Sequence, residues 1–466
     1  MMFLMAPDSI SQALCQNSPL VGPCNALGIA DFANQHGCTS LTKTTREFID
    51  KHCADVSETD EFLQQSVCQL INLIKRDELV VKSESEVYNA VMLWIKYDEK
   101  NRRPHLEDIV YVVRCYFLSP DFLERQLKSC EVLKSHPNCR QYLEKIMCDL
   151  TSHKKCQMRR RRNPDLPTVI YVVGGYIRYS LSRLECFDPK ATSWRTLKDM
   201  PTCRSGVCAA FVHGLLYVAG GHCAQSEGNS DSSSMDAYDP FSDSWRSCSA
   251  MSVARSRAAA VALDNQFYVV GGSMQTTFHR SGERYNPNDE TWSPIADMSR
   301  ARLGLGVASL NRLLYAVGGF DGVERLQCVE CYDPDTNSWR YVAPMSTVRS
   351  GAGVVALDGL LYAVGGYDGR NQLASVERYD SEADRWSPVA GMHTARSALS
   401  VVAVDGRIYA IGGTKTVRIL HRSRELRPRA GRVDRGAEHA GGAEWPRCCG
   451  WWGSCCYAES ASPTPR

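Results

Sequence analysis

Net charge is almost absent from this chain: 54 lysines and arginines face 52 aspartates and glutamates, a formal balance of +2. So weak a field gives no general pull on nucleic acid. Long apolar runs are absent too, so nothing here reads as a membrane span, and MMFLM at the start is too short for a secretory h-region. There is no P-loop, no GxSxG, no HExxH and no Cys-x-x-Cys facing a second one. The 11 histidines do not recur at any fixed interval. The chain is therefore read as a non-enzyme that holds no cofactor and no metal. Its 21 cysteines are many but scattered, without the spacing of a disulfide scaffold. With no secretory signal they are expected as thiols in a reducing compartment, the cytoplasm with the nucleus as a second site.

What is present is a repeat. Glycine pairs stand at Gly174/Gly175, Gly220/Gly221, Gly271/Gly272, Gly318/Gly319, Gly365/Gly366 and Gly412/Gly413, at steps of 46, 51, 47, 47 and 47 residues. Trp194, Trp245, Trp292, Trp339 and Trp386 keep the same steps, and Phe187, Tyr238, Tyr285, Tyr332 and Tyr379 each sit seven residues earlier. A unit of this length with four short strands cannot bury both faces alone, so it must stack on its neighbours around an axis as a β-propeller blade. The large aromatics are the packing mass between blades, and the glycines end a strand where backbones crowd.

The first third of the chain has a different period. Phe62, Val67, Leu70, Ile71 and Ile74, then Val87, Ala90, Val91, Trp94 and Ile95, recur at three- and four-residue steps that predict amphipathic helices. Ser83-x-x-Glu86 reads as a capping box and Ser119-Pro120 as a helix start. The organisation expected is a disordered leader (1–24), a helical domain (25–150), a basic linker (151–167) and a propeller (168–413) of the six-blade type with an incomplete sixth blade. An aberrant low-complexity tail (414–466) follows. The four arginines at 159–162 read either as a nuclear-localisation or polyanion patch or as a solvated linker.

The glycine pair, the Tyr-Asp-Pro and the Trp together resemble the kelch repeat. The segments LGIADFANQHGC, KRDELVVKSESEVYNAVMLWIKYD and VRCYFLSPDFL resemble the BACK domain of BTB-kelch proteins. In that family a BTB domain precedes BACK, dimerises and docks a cullin scaffold. The residues before Asn25 are too few for one, so the resemblance implies cullin contact weakened or lost. GGYIRYSLSRLE, PMSTVRSGAG, GGFDGVERL and GGYDGRNQLASVERYD are similar to the oxidant-responsive branch of the family, whose members present a cap-n-collar bZIP transcription factor to a cullin-RING ubiquitin ligase. That resemblance implies a propeller mouth holding an acidic ETGE or DLG motif through Tyr176, Arg178, Ser205, Arg257, Phe320, Arg325, Ser350, Tyr367, Gln372 and Ser397. Carboxylates in a concave mouth suit guanidinium forks and hydroxyl donors.

Departures from the pattern are as specific. His222 and Ala224 stand where the family has Arg and Asn, Ser256 replaces another Asn, and Thr414 replaces a ring Tyr, so a weaker acidic grip is expected. His222 adds a charge only when protonated, and raises affinity at low pH if it faces the peptide. Arg-Ser-Gly at 204–206 and 349–351 also opens the inner strand of many kelch blades, which gives those serines a purely structural alternative. Cys68 matches a family sensor cysteine, with Lys75 and Arg76 one to two helical turns on as cations that favour a thiolate. Its alternative is a core-facing cysteine, and a second family sensor falls on Ser83.

After Gly413 the period fails. No aromatic lies between Tyr409 and Trp445, and the outer strands of blade six, with the strand returning to blade one, are expected to be missing. Cys448-Cys449 and Cys455-Cys456 lack the usual zinc-ligand spacing. Two other functions remain open at this level. One is an actin-binding cytoskeletal kelch protein. The other is a metal oxidase on a kelch propeller, which needs His and Tyr ligands converging on the axis.

Overall fold

Each of the first five glycine pairs follows the second strand of a four-stranded antiparallel sheet, and the sixth lies within the strand Arg407–Lys415. A computed structural model describes residues 21–81, 83–153, 168–225 and 228–415, with the backbone of four further strand segments between 418 and 459. The first 20 residues of the leader, the arginines at 159–162 and Cys448 and Cys449 lie outside the described residues. The chain divides into two units, Met1–Asp165 and Leu166–Arg466.

The first unit is all-helical around Trp94. This residue and Tyr88 on the helix Glu84–Tyr97 are wholly buried among Leu70, Ile95, Leu123, Leu143 and Ile146, with the Trp94 indole donating to Gln65 O at 2.9 Å. Ser119 caps Pro120–Ser129 as the sequence indicates, its hydroxyl accepting from Phe122 N. Two start signals differ from expectation. The Ser83 hydroxyl accepts from Ser85 N and not from Glu86, so no capping box forms there. The box is formed by Ser66 and Gln69 at the start of Val67–Ile74, where each side chain takes the other's backbone N–H.

In the second unit, one blade shows the plan. Gly306–Leu310 lies innermost, then Leu313–Val317, Val329–Asp333 and Ser338–Val342, with Tyr332 directly opposite Trp339. Their rings are 5.1 Å apart, and the Trp339 indole donates to Ala296 O of the preceding blade at 2.8 Å. Trp245, Trp292 and Trp386 make the same bond to Lys198, Ser249 and Ala343. The aromatic is thus packing mass and an inter-blade hydrogen bond at once. Gly318 shows why the pair must be glycine: its φ is +62° and a Cβ would sit 2.3 Å from Arg349 O.

The sheets repeat this order with innermost strands Cys208–Val212, Ala259–Leu263, Gly306–Leu310, Gly353–Leu357 and Ser397–Val404, which neighbour one another in sequence around the axis. The 51-residue step accommodates an extra hairpin, His222–Gln225 against Gly228–Asp231. The sixth sheet differs from the half blade expected. Its backbone pairs Arg407–Lys415 with Arg422–Leu426, and that strand with Val433–Glu438, while Ser454–Glu459 lies beside Thr168–Val173 in the first blade. The physical reason is that an inner strand pair leaves an edge of unpaired backbone groups, which the following chain covers whatever its side chains. Those outer strands still carry no kelch aromatic pair. Closure between the last and first blades is made by inner residues: Val402, Val404, Tyr409 and Ile411 pack on Ile170, Val172 and Phe187.

Candidate functional site

At one end of the propeller the residue opening each innermost strand bridges the residue that follows the next glycine pair. Ser205 meets His222, Ser256 meets Ser273, Leu303 meets Phe320 and Ser350 meets Tyr367, and Ser397 is registered opposite Thr414. Every pair is separated by 17 residues, so the fold collects these five pairs at one mouth. One residue further on runs a belt of backbone hydrogen bonds. Arg257 N donates to Gly206 O, Gly304 N to Arg257 O, Gly351 N to Gly304 O and Ala398 N to Gly351 O, at 2.7 to 3.0 Å. All five belt residues have left-handed φ, from +54° to +60°.

Three of the five are glycine, for which that conformation is free. Arg257 is not, and a long side chain at φ +54° is held at a cost of order 1–3 kcal/mol. The residue is exposed, and desolvation lowers its pKa while Asp231 partly offsets this.

Arg325 is held differently. Its guanidinium carbon lies 4.6 Å from the Tyr367 ring centre and 5.3 Å from that of Phe320, a cation over two aromatic faces. Its Nε is buried without a hydrogen-bond partner. Phe320 is braced edge-on by Phe278 at 5.7 Å, and the Tyr367 hydroxyl donates to Gly369 O at 3.0 Å. Tyr367 also bridges Gln372, and Tyr176 bridges Ser180. Arg178 is exposed on the loop after the first glycine pair.

The serines divide. The Ser350 hydroxyl reaches Tyr367 O at a long 3.4 Å, and Ser350 and Ser397 are half-buried at the mouth. Ser205 is buried, its hydroxyl 3.1 Å from both His222 O and Ser180 Oγ, so here it ties two blades together. His222 turns to Asp231: Nδ1 is 2.8 Å from Oδ1 of that residue, whose other oxygen accepts from Gln275 N at 2.6 Å.

Under the belt lies a ladder that sequence reading missed. Arg204, Arg255, Arg302 and Arg349 are buried, pair with Asp236, Glu283, Glu330 and Glu377, and donate to the first carbonyl of the next glycine pair. Arg396 donates to Gly412 O in the same way. The signal was available: arginine stands 16 residues before each of the last five glycine pairs, and glutamate 28 residues after three of the arginines. These ion pairs fix the strand ends from which Arg257 and Ser350 project.

Cys68 is exposed on Val67–Ile74, which removes the core-facing alternative. Arg76, one of the two cations expected beside it, instead lies 2.6 Å from Asp50. Ser83 caps the next helix.

Comparison with known proteins agrees with this geometry. Residues 26–128 match the BACK family, "BTB And C-terminal Kelch", and the kelch motif matches at 166–201, 203–252, 254–299, 301–346 and 349–393. The chain thus carries a BACK domain followed by kelch repeats. In sequence the chain is similar to the Kelch-like ECH-associated proteins of Danio rerio. It is 47% identical over 275 residues to protein 1B (59% of this chain, 46% of the relative) and 43% identical over 257 residues to protein 1A (55% and 42%). The chain thus spans less than half the length of these relatives. A solved structure, that of YjhT, superposes with a TM-score of 0.51 at 17% identity, over 58% of this chain and 94% of that one, and shares the fold.

Proposed function

We propose that this chain is a substrate-recognition adaptor of a cullin-RING ubiquitin ligase, whose propeller mouth reads an acidic ETGE- or DLG-type turn of a cap-n-collar bZIP transcription factor. The observation that carries the reading is Arg257, retained in a left-handed conformation where three of the four other belt positions are glycine. A cation carried at a strained backbone position beside the other mouth residues is what a ligand-holding role accounts for. Arg325, pre-oriented over Tyr367 and Phe320, supplies the second charge, and Ser350 and Ser397 supply hydroxyls. In this reading the chain has no catalytic role of its own and acts in the cytoplasm and nucleus. Cys68 is the exposed thiol through which electrophiles act on it.

The test is a fluorescence titration of the full chain with a labelled ETGE peptide and with the same peptide carrying alanine for both glutamates. Selective binding of the first is expected. Equal affinity for both sinks the reading, and co-sedimentation with actin in place of peptide binding moves the chain to the cytoskeletal alternative.

A further inference from the structure

Two thiols that no comparison assigns meet at the edge of the mouth. Cys203 Sγ and Cys223 Sγ are 3.0 Å apart, both partly exposed. They come from segments already locked in register, because Ser205 and His222 exchange both backbone hydrogen bonds, at 2.9 and 2.7 Å. Ser180 adds a third strut, accepting from Ala224 N at 2.9 Å and donating to His222 O at 2.8 Å. A disulfide needs its sulfurs about 2.05 Å apart, so closure asks for a side-chain shift of only about 1 Å within a frame that is held in place.

From this geometry we infer that Cys203 and Cys223 form a dithiol site that a hydroperoxide converts to an intramolecular disulfide. Burial and the Cys203 sulfur push the Cys223 thiol up to about 11, so at neutral pH Cys223 keeps its proton. The Cys203 sulfur attacks the terminal oxygen of the peroxide. The O–O bond breaks, the alcohol leaves with the Cys203 proton, and Cys203 becomes a sulfenic acid. The Cys223 sulfur then attacks that sulfur: the S–S bond forms, the S–O bond breaks, and hydroxide leaves as water with the Cys223 proton. Two thiols are oxidised by two electrons and one peroxide is reduced.

Other thiols nearby do not compete. Cys208 is wholly buried, its thiol pushed up to about 12 by burial, and its sulfur is directed at Ala219 O at 3.3 Å. The pair also differs in kind from Cys68, a single exposed thiol: an alkylating electrophile consumes single thiols, whereas disulfide formation by a peroxide needs a resolving partner.

The experiment treats the reduced full chain with equimolar hydrogen peroxide, blocks the remaining thiols, digests with trypsin and maps the linked peptides. The expected product joins peptide 199–204 to peptide 205–246, with fragment ions placing the bond at Cys223, and a dithiol reductant reverses it. Cys208→Ser keeps the link, whereas Cys203→Ser loses it and leaves Cys223 open to the blocking reagent. A link to Cys208, persistence of the link in Cys203→Ser, or an unchanged thiol count after peroxide would each overturn the inference.

Discussion

Arg302 and Glu330 meet at 2.8 Å with both side chains completely out of solvent. Glu330 also accepts from Ser299 N at 2.6 Å, and Arg302 from its other side donates to Gly318 O at 2.7 Å, so one ion pair joins two blades and a glycine turn. Removing one partner leaves an uncompensated buried charge, and Glu330→Ala should cost about 3–5 kcal/mol. Equilibrium urea unfolding of the second unit checks this. A loss below about 1 kcal/mol would show that the ladder does not support the mouth.

Asp50 gives the helical unit a pH dependence of defined sign. Burial raises its pKa to about 6, although Arg76 pulls the other way. A carboxyl whose folded pKa lies above its unfolded value binds a proton more readily when folded, so its stabilising effect is present at low pH and lost as pH rises through 6. The helical transition should move up between pH 7 and pH 5, and Asp50→Asn should flatten that rise. An identical rise in the variant would assign it to another group.

Cys68 should be alkylated ahead of the interior thiols of the helical unit. Cys53, Cys115, Cys130 and Cys139 are buried, and burial pushes Cys115 up to about 12 and Cys139 to about 11. Limited labelling with iodoacetamide, read by peptide mapping, should place Cys68 among the first modified sites. Labelling of Cys115 or Cys139 before Cys68 would refute this, and a Cys68→Ser chain with undiminished electrophile response would remove its sensor role.

How legible all this is in the sequence depends on whether a residue acts by type or by partner. Gly318, Tyr332 and Trp339 are legible because each is required by the backbone or the packing at a fixed place that recurs in the first five repeats. The arginine ladder is equally periodic, but an arginine reads as a surface residue until its glutamate is found 28 residues on. Arg257 is legible as a cation and not as a strained one: its meaning appears only when it is aligned with Gly206, Gly304 and Gly351. The outer strands of blade six carry no marker, since edge pairing selects backbone and not side chains. His222–Asp231 and Cys203–Cys223 depend on an irregular hairpin, and no spacing rule foretells them.

The central claim is that Arg257 is held in strain to grip an acidic ligand, and Arg257→Gly separates strain from grip. Glycine adopts φ +54° freely, so the variant should keep its melting temperature or gain up to about 1 kcal/mol in stability. Loss of a charge partner buried by the ligand typically costs about 2–5 kcal/mol of binding, so calorimetric affinity for an ETGE peptide should fall well over tenfold. A destabilised variant that binds the peptide as tightly as the parent chain would contradict the account.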